Sequence, residues 1–259
     1  MSFVLTDISV SLGLFLGMLL SFDLGRRFGV GRLSLDPDGV TKGSGPVEAA
    51  VFGLLGLLLA FTFSGAAGRF EDRRFLIATE ANDIGTAYLR LDLLHAAAQP
   101  EIRELFRRYL ETRIVIYRDA ANEDVTTARM DETVALLDEI WARSLAAVSE
   151  PGAQTSAAML LLASLNEMFD ITSTRAAAME NHPPAVIFML LVILSLLASM
   201  LAGHVLCVSK GRNWFYLLLF TTTISLTLYV IVDMEYPRYG LIRVDSADQS
   251  LIDLRALMD

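Results

Sequence analysis

The most constraining feature of this sequence is a set of long apolar runs separated by polar segments. The runs 49–68, 185–208 and 214–232 contain no Asp, Glu, Lys or Arg, and the run 3–22 contains one acid, Asp7. Crossing the hydrocarbon core of a bilayer takes about 20 helical residues. The hydrophobic share of 54% is above that of an average soluble domain. We therefore predict four transmembrane helices, with Asp7 at a span end that water reaches.

The segment between the second and third runs is polar but has helical periodicity. Apolar residues recur there at spacings of three and four, the pattern of one helix face; they are Ile77, Ala81, Ile84, Tyr88 and Leu91. Gln99-Pro100 and Pro151-Gly152 interrupt the pattern, and helices are expected on either side of each break. The predicted fold is therefore all-α, an integral membrane protein with four transmembrane helices and a helical extramembrane domain between the second and third spans.

This pattern divides the chain into four segments. Residues 1–68 form the first transmembrane pair, 69–184 the helical domain and 185–235 the second pair, while the tail 236–259 is expected to pack on the helical domain. No Lys or Arg precedes Arg26, whereas a secretory signal peptide begins with basic residues. The run 3–22 is therefore expected to be a retained anchor.

The membrane orientation does not follow from the basic residues. Four spans place both termini and 69–184 on one side, with two short loops on the other. Near the spans, six Lys or Arg residues occur in the short loops and seven on the opposite side, so the positive-inside rule does not decide. The six are Arg26, Arg27, Arg32, Lys42, Lys210 and Arg212.

Several functional classes lack their usual sequence signatures. The three histidines, His95, His182 and His204, have no spacing typical of metal ligands, and there is one cysteine, Cys207. No phosphate-binding loop, nucleophile elbow or metalloprotease helix occurs. The formal net charge of −9 argues against nucleic acid as a partner. We expect no enzyme activity, no cofactor and no metal site.

The second span carries a stripe of residues that is compatible with two roles. Gly53, Leu57 and Phe61 follow one another at intervals of four residues, with Thr62 and Ser64 close by. Small residues along a membrane helix allow close packing against another helix. Alternatively, Leu57 and Phe61 could form an apolar constriction in a pore, with the two hydroxyls near it. These residues alone leave both interpretations open.

Charged residues mark two other places. Glu80, Asp83 and Arg90 lie off the apolar stripe of the polar segment, either on an ordinary solvated face or on a charged surface lining a vestibule or a subunit interface. The fourth span ends in Asp233 and Glu235, which are expected to reach water or to form an ion-pair cluster with Arg238.

The chain resembles the bestrophin-like family of bacterial membrane proteins, and more distantly the bestrophins, which are pentameric anion channels. The resemblance rests on four stretches: LGLLLAFTFSGAAGRFEDRR (55–74), EANDIGTAYLRLDLL (80–94), HPP (182–184) and DMEYPRYGLIRVDSADQSLIDLR (233–255). It implies a homo-oligomer, expected to be a pentamer, in the bacterial inner membrane. The helical domain would be cytoplasmic, and the partners would be the lipid bilayer and small inorganic ions such as chloride.

The resemblance also assigns roles to residues. If Arg69 matches the arginine that follows the bestrophin neck, then Phe61, Leu57 and Gly53 occupy the neck positions, and the glycine departs from the bulky residue expected there. The dense acidic run that binds calcium in animal bestrophins is missing. The implied function is an ion channel that passes anions through this neck; the alternative is a membrane-anchored helical scaffold or sensor that does not conduct.

The tail following the fourth span echoes a bestrophin turn. Glu235, Pro237 and Gly240 match its glutamate, proline and glycine, with one additional residue before the glycine. Proline ends the helix and glycine permits a sharp reversal. We expect Arg238, Arg243 and Asp245 to tie the tail to its own or a neighbouring subunit.

Overall fold

The computed structural model describes residues 2–33, 45–119, 122–208 and 214–259. The described residues are 88% helical and contain no strand, so the predicted all-α class is confirmed. Lys42, Lys210 and Arg212, which entered the orientation count, lie outside the described residues. The α-helices are α1 (Ser2–Leu33), α2 (Gly45–Arg90), α3 (Gln99–Arg118), α4 (Glu123–Val148), α5 (Thr155–Glu180), α6 (Ala185–Val205), α7 (Trp214–Glu235) and α8 (Asp245–Leu257).

Four helical stretches are long and apolar enough to cross a membrane, as predicted: Thr6–Arg32, Gly45–Leu93, Thr155–Val205 and Trp214–Glu235. The chain is a membrane protein. The helix of the second span continues beyond residue 68, where the span is expected to end, and α2 is a single helix of 46 residues. At 1.5 Å per residue it is about 69 Å long, more than twice the hydrocarbon thickness of about 30 Å. No proline lies between Pro46 and Pro100 to interrupt it.

Internal contacts group the chain into two units. Unit 1 comprises Met1–Gly68 and His182–Ile242, and unit 2 comprises Arg69–Asn181 and Arg243–Asp259. The tail had been expected to belong to the helical domain from residue 236 onward. Instead its first seven residues, 236–242, group with the spans, and only the remainder joins unit 2.

Unit 1 is held together by close contact between α1 and α6. A Cβ atom built on Gly25 would overlap the carbonyl oxygen of Met200, and one built on Gly203 would overlap that of Phe22. The Ser199 hydroxyl also donates to the Met18 carbonyl, at 2.6 Å. Small residues that let two backbones approach in this way are typical of packed membrane helices.

Unit 2 has an apolar core between the second half of α2 and the helices α3, α4, α5 and α8. The predicted stripe is buried there in full: Ile77, Ala81, Ile84, Tyr88 and Leu91. Helix α8 was not predicted from the sequence. It packs against α3, and it contributes Leu251 to the same core, where Val244 and Met258, which flank the helix, are also buried.

In unit 2, an arginine side chain also binds the carbonyl groups at the C-terminal end of α5. The last carbonyl groups of a helix have no partner within the helix. Arg73 is buried, and its guanidinium donates to the carbonyl oxygens of Ala178 and Asn181, both at 3.0 Å. A cation at this end also suits the helix dipole.

Candidate functional site

The predicted stripe of the second span lies on a face of α2 that the described residues of unit 1 leave largely uncovered. Leu57 is 52% exposed and Phe61 is 67% exposed. Cβ atoms built on Gly53 and Gly56 would have no neighbour within 4 Å. The stripe residues Gly53, Leu57 and Phe61 are all exposed, and so is the neighbouring Ser64. The glycines of this face therefore do not serve to pack α2 within its own unit.

The opposite face of α2 attaches the helix to unit 1. Leu55, Leu59 and Ala66 are buried on that side. Phe52 packs edge-on against Phe220 of α7, with ring centroids 5.8 Å apart. This segment of α2 therefore has one buried side and one uncovered side, and the stripe belongs to the uncovered side.

Of the two predicted hydroxyl residues, only Ser64 belongs to the exposed side. The Thr62 hydroxyl donates to the carbonyl oxygen of Leu58 at 2.7 Å, within the helix. The Thr62 proton is therefore engaged, and its oxygen can act only as an acceptor. Ser64 is exposed next to the stripe.

The carboxylate of Asp233 organises the turn that follows α7. It accepts hydrogen bonds from the backbone N–H groups of Leu241, at 2.8 Å, and Ile242, at 2.6 Å. A Cβ atom on Gly240 would overlap Asp233 Oδ1, so the turn closes only with glycine at that position. Asp233 is buried and not, as expected, open to water. The hydrogen bonds to these backbone amides thus explain why an acidic residue, Asp233, lies near the end of α7.

Glu235 is also buried, which corrects the expectation that it reaches water. Its Oε2 lies 3.5 Å from Nδ1 of His182, and the His182 ring stacks on Tyr236 with centroids 4.6 Å apart. Arg238 is buried in the same unit. Sequence reasoning missed His182 as a neighbour of Glu235, although the HPP stretch was one of the four that carried the family resemblance.

Asp233→Asn is expected to loosen this turn. An asparagine side chain has one acceptor oxygen and no charge, so one of the two backbone N–H groups loses its partner, at a cost of about 1–3 kcal/mol. We expect faster trypsin cleavage after Arg243, read by mass spectrometry. Asp253→Asn, an exposed acid on α8, is the control. Equal cleavage rates in the two variants would contradict this role for Asp233.

Glu80 lies in the core of unit 2, which corrects its expected position on a water-facing side. Glu80 is fully buried, and Arg113 and Arg175 are buried beside it. Arg113 Nε donates to Glu80 Oε1 at 2.6 Å, Arg175 donates to Oε2, and the Tyr117 hydroxyl donates to Oε2 at 3.1 Å. The guanidinium of Arg175 also lies over the Tyr117 ring, 3.9 Å from its centre. These four residues, termed the Glu80 cluster, hold one formal negative and two positive charges.

Asp83 and Arg90 remain nearer the surface of unit 2. Both are half-buried. Arg90 donates to the carbonyl oxygen of Leu160 at 2.7 Å, which ties α2 to α5. The structure therefore separates the three predicted vestibule residues, with Glu80 inside the core and the other two at its edge.

Contacts of residues near the C-terminus hold α8 in unit 2. Arg255 contacts Glu111 of α3 at 2.8 Å. Arg243, one of the residues expected to tie down the tail, pairs with Asp245 at 2.9 Å. The Met258 carbonyl oxygen accepts from the Tyr88 hydroxyl at 3.1 Å and from Arg107 Nε at 2.8 Å. A hydrogen bond from Arg255 also lowers the pKa of the Asp259 carboxyl.

Within the described ranges, His, Cys, Asp and Glu side chains do not come together in any group of three or more that could hold a metal ion. Cys207 is a free, buried thiol beside Gly29.

Four apolar helices, with a helical unit inserted between the second and third spans, define a multi-pass membrane protein with a helical extramembrane unit. The Bestrophin-like domain matches residues 12–249, and the chain belongs to the Bestrophin-like family. A search by sequence among curated proteins found no match.

Solved structures share the same fold. A variant of a bacterial bestrophin homolog from Klebsiella pneumoniae is 16% identical, with a TM-score of 0.68, covering 93% of this chain and 99% of that one. A second variant is 14% identical, with a TM-score of 0.69 and coverage of 94% and 99%. A third structure, of the homolog phased on zinc, is 15% identical, with a TM-score of 0.67 and coverage of 93% and 98%.

Proposed function

We propose that this protein is a homo-oligomeric ion channel, assembled as a pentamer around the uncovered face of α2. The observation that carries the proposal is that the stripe residues Gly53, Leu57 and Phe61 are exposed, with Ser64 beside them, opposite a face packed within unit 1. Lipid-facing surfaces do not require glycine or serine. Such residues suit a face that meets other subunits and a water-filled axis.

In this proposal Phe61 and Leu57 form the neck. Rings of apolar side chains in a pore exclude water when narrow, and so control permeation by dewetting. Gly53 would leave its level of the pore wider, since it presents no side chain. Ser64, and Thr62 through its acceptor oxygen, would lie next to the constriction, and Asp83 and Arg90 would line a vestibule. Glu80 has no part in the pathway, because it is fully buried.

Anions are the proposed permeant ions, and this choice rests on the family resemblance to bestrophins. The formal net charge of −9 does not favour anions by itself. Reversal potentials in asymmetric chloride salts, recorded from protein reconstituted in planar bilayers, measure the selectivity directly. A reversal potential at the equilibrium potential of the cation would show that the channel passes cations and not anions.

Water access along α2 tests the channel against a scaffold that does not conduct. After Cys207→Ala, single cysteines are introduced at Leu57 and Phe61, and at the buried Leu55 and Leu59 as controls. In the assembled protein, a charged, membrane-impermeant thiol reagent is expected to modify the first pair and not the second. Protection of all four positions would favour the scaffold, in which the α2 stripes pack subunits without a water pathway.

Phe61→Ala is expected to raise single-channel conductance about twofold or more, because it widens the narrowest apolar ring. Phe63→Ala is the comparison variant, since Phe63 is on the same helix, is 43% exposed and lies two residues, or about 200° around the helix, from Phe61. Bilayer recordings compare both variants with the unchanged protein. Currents unaltered by Phe61→Ala would remove Phe61 from the neck.

A further inference from the structure

Unit 1 contains a groove that the proposed conduction pathway does not use. It lies between α1, α6 and α7, and its volume is about 270 Å³. Its lining is apolar except for Asp7 and Ser11, and includes Val10, Leu14, Phe188, Val192, Leu196 and Leu228. A groove of this kind between membrane helices accommodates a hydrocarbon chain.

One end of the groove holds a carboxylate without a partner. Asp7 is only 5% exposed, and its Oδ2 accepts no hydrogen bond from the described residues. A buried charge is costly unless a charge of opposite sign or hydrogen-bond donors meet it. This end of the groove is therefore suited to a cationic donor.

The length of the groove suits a lipid. From Asp7 to Gly17, which also lines it, the helix rises about 15 Å. That is about half of the 30 Å hydrocarbon core, the depth reached by one leaflet's acyl chains. A ligand with its cation at Asp7 would thus have its chain directed along α1.

We propose that this groove binds a phospholipid whose headgroup carries a primary ammonium group. The ammonium group donates hydrogen bonds to Asp7, and one acyl chain lies along Val10, Leu14 and Val192. Phosphatidylethanolamine has this chemistry. Phosphatidylcholine differs from it only in three methyl groups on the nitrogen, which remove every N–H donor while the charge remains.

Native mass spectrometry of the full chain in detergent with equal amounts of the two lipids, matched in acyl chains, tests the proposal. The unchanged protein is expected to retain phosphatidylethanolamine about tenfold more than phosphatidylcholine, the effect of a hydrogen bond to a charged group. Equal retention would overturn the proposal, and this comparison needs no variant.

Two variants test the head and chain positions separately. Asp7→Asn is expected to abolish the preference between the lipids. A Cβ atom on Gly13 would have no neighbour within 4 Å, so Gly13→Leu fills the groove and is expected to reduce retention of both lipids. Gly31→Leu is the control, since Gly31 has the same free space on α1 outside the groove.

The same spectra count subunits. An unchanged lipid preference in Asp7→Asn, or unchanged lipid retention in Gly13→Leu, would overturn the proposal. If Gly13→Leu altered the subunit count and left retention unchanged, a second copy of the chain would be the occupant of the groove.

Discussion

Glu80→Gln is expected to lower the free energy of unfolding of unit 2 by about 3–5 kcal/mol, the cost of breaking a buried ion pair from one side. Arg113 and Arg175 would remain in the core with no carboxylate between them. The glutamine amide offers one acceptor oxygen and no charge, so it cannot serve both guanidinium groups and the Tyr117 hydroxyl. Domains are typically stable by only about 5–15 kcal/mol, so this loss is a large fraction of the total.

Glu71→Gln provides a matched control for Glu80→Gln. Glu71 is on the same helix and also pairs with an arginine, Arg74, at 3.0 Å, but its side chain is 65% exposed. Exposed pairs contribute about 0–1 kcal/mol. Urea unfolding followed by circular dichroism should therefore separate the two variants clearly. Equal unfolding midpoints would show that burial of the Glu80 cluster contributes nothing to stability.

Gly203→Leu is expected to force α1 and α6 apart. The new side chain would begin inside the space of the Phe22 carbonyl oxygen, and a backbone atom cannot move aside as a flexible side chain can. Overpacking of a tight core costs about 1–3 kcal/mol, and a backbone obstacle places this variant at the upper end or beyond. The Ser199 hydrogen bond to Met18 would be lost with the contact.

Thermal unfolding in detergent measures this effect. Gly31→Leu is the control, because it adds the same side chain to α1 where no atom lies within 4 Å. We expect the melting temperature of the Gly203 variant to fall by several degrees and that of the control to stay unchanged. If Gly203→Leu had the same melting temperature as the unchanged protein, the packing of α1 against α6 would not depend on this contact.

Periodicity and hydropathy predicted those parts of the molecule that depend on neighbouring residues in the sequence. The four spans follow from local composition, and the buried stripe from Ile77 to Leu91 follows from helical spacing. The uncovered stripe at Leu57 and Phe61 was recognisable for the same reason. Helix α8 was missed because its few apolar residues become buried only through contact with α3.

The misplaced residues depend on partners far along the chain. Glu80 looked like a surface residue because a charge off an apolar stripe usually faces water. Its partners Arg113 and Arg175 are 33 and 95 residues away, and helical spacing carries no information about them. Asp233 was misread for a related reason, since the amides it binds belong to a turn whose path only the folded chain shows.

The order in which the segments of unit 2 occur along the chain has a consequence for how the protein is made. Its core includes α8, which follows the third and fourth spans in the sequence, so a ribosome must deliver both spans before this core is complete. Until then Tyr88 and Arg107 lack their acceptor on Met258. Synthesis of the last two membrane helices therefore precedes completion of the extramembrane fold, and a chain stalled between these events presents an open apolar surface to chaperones and proteases.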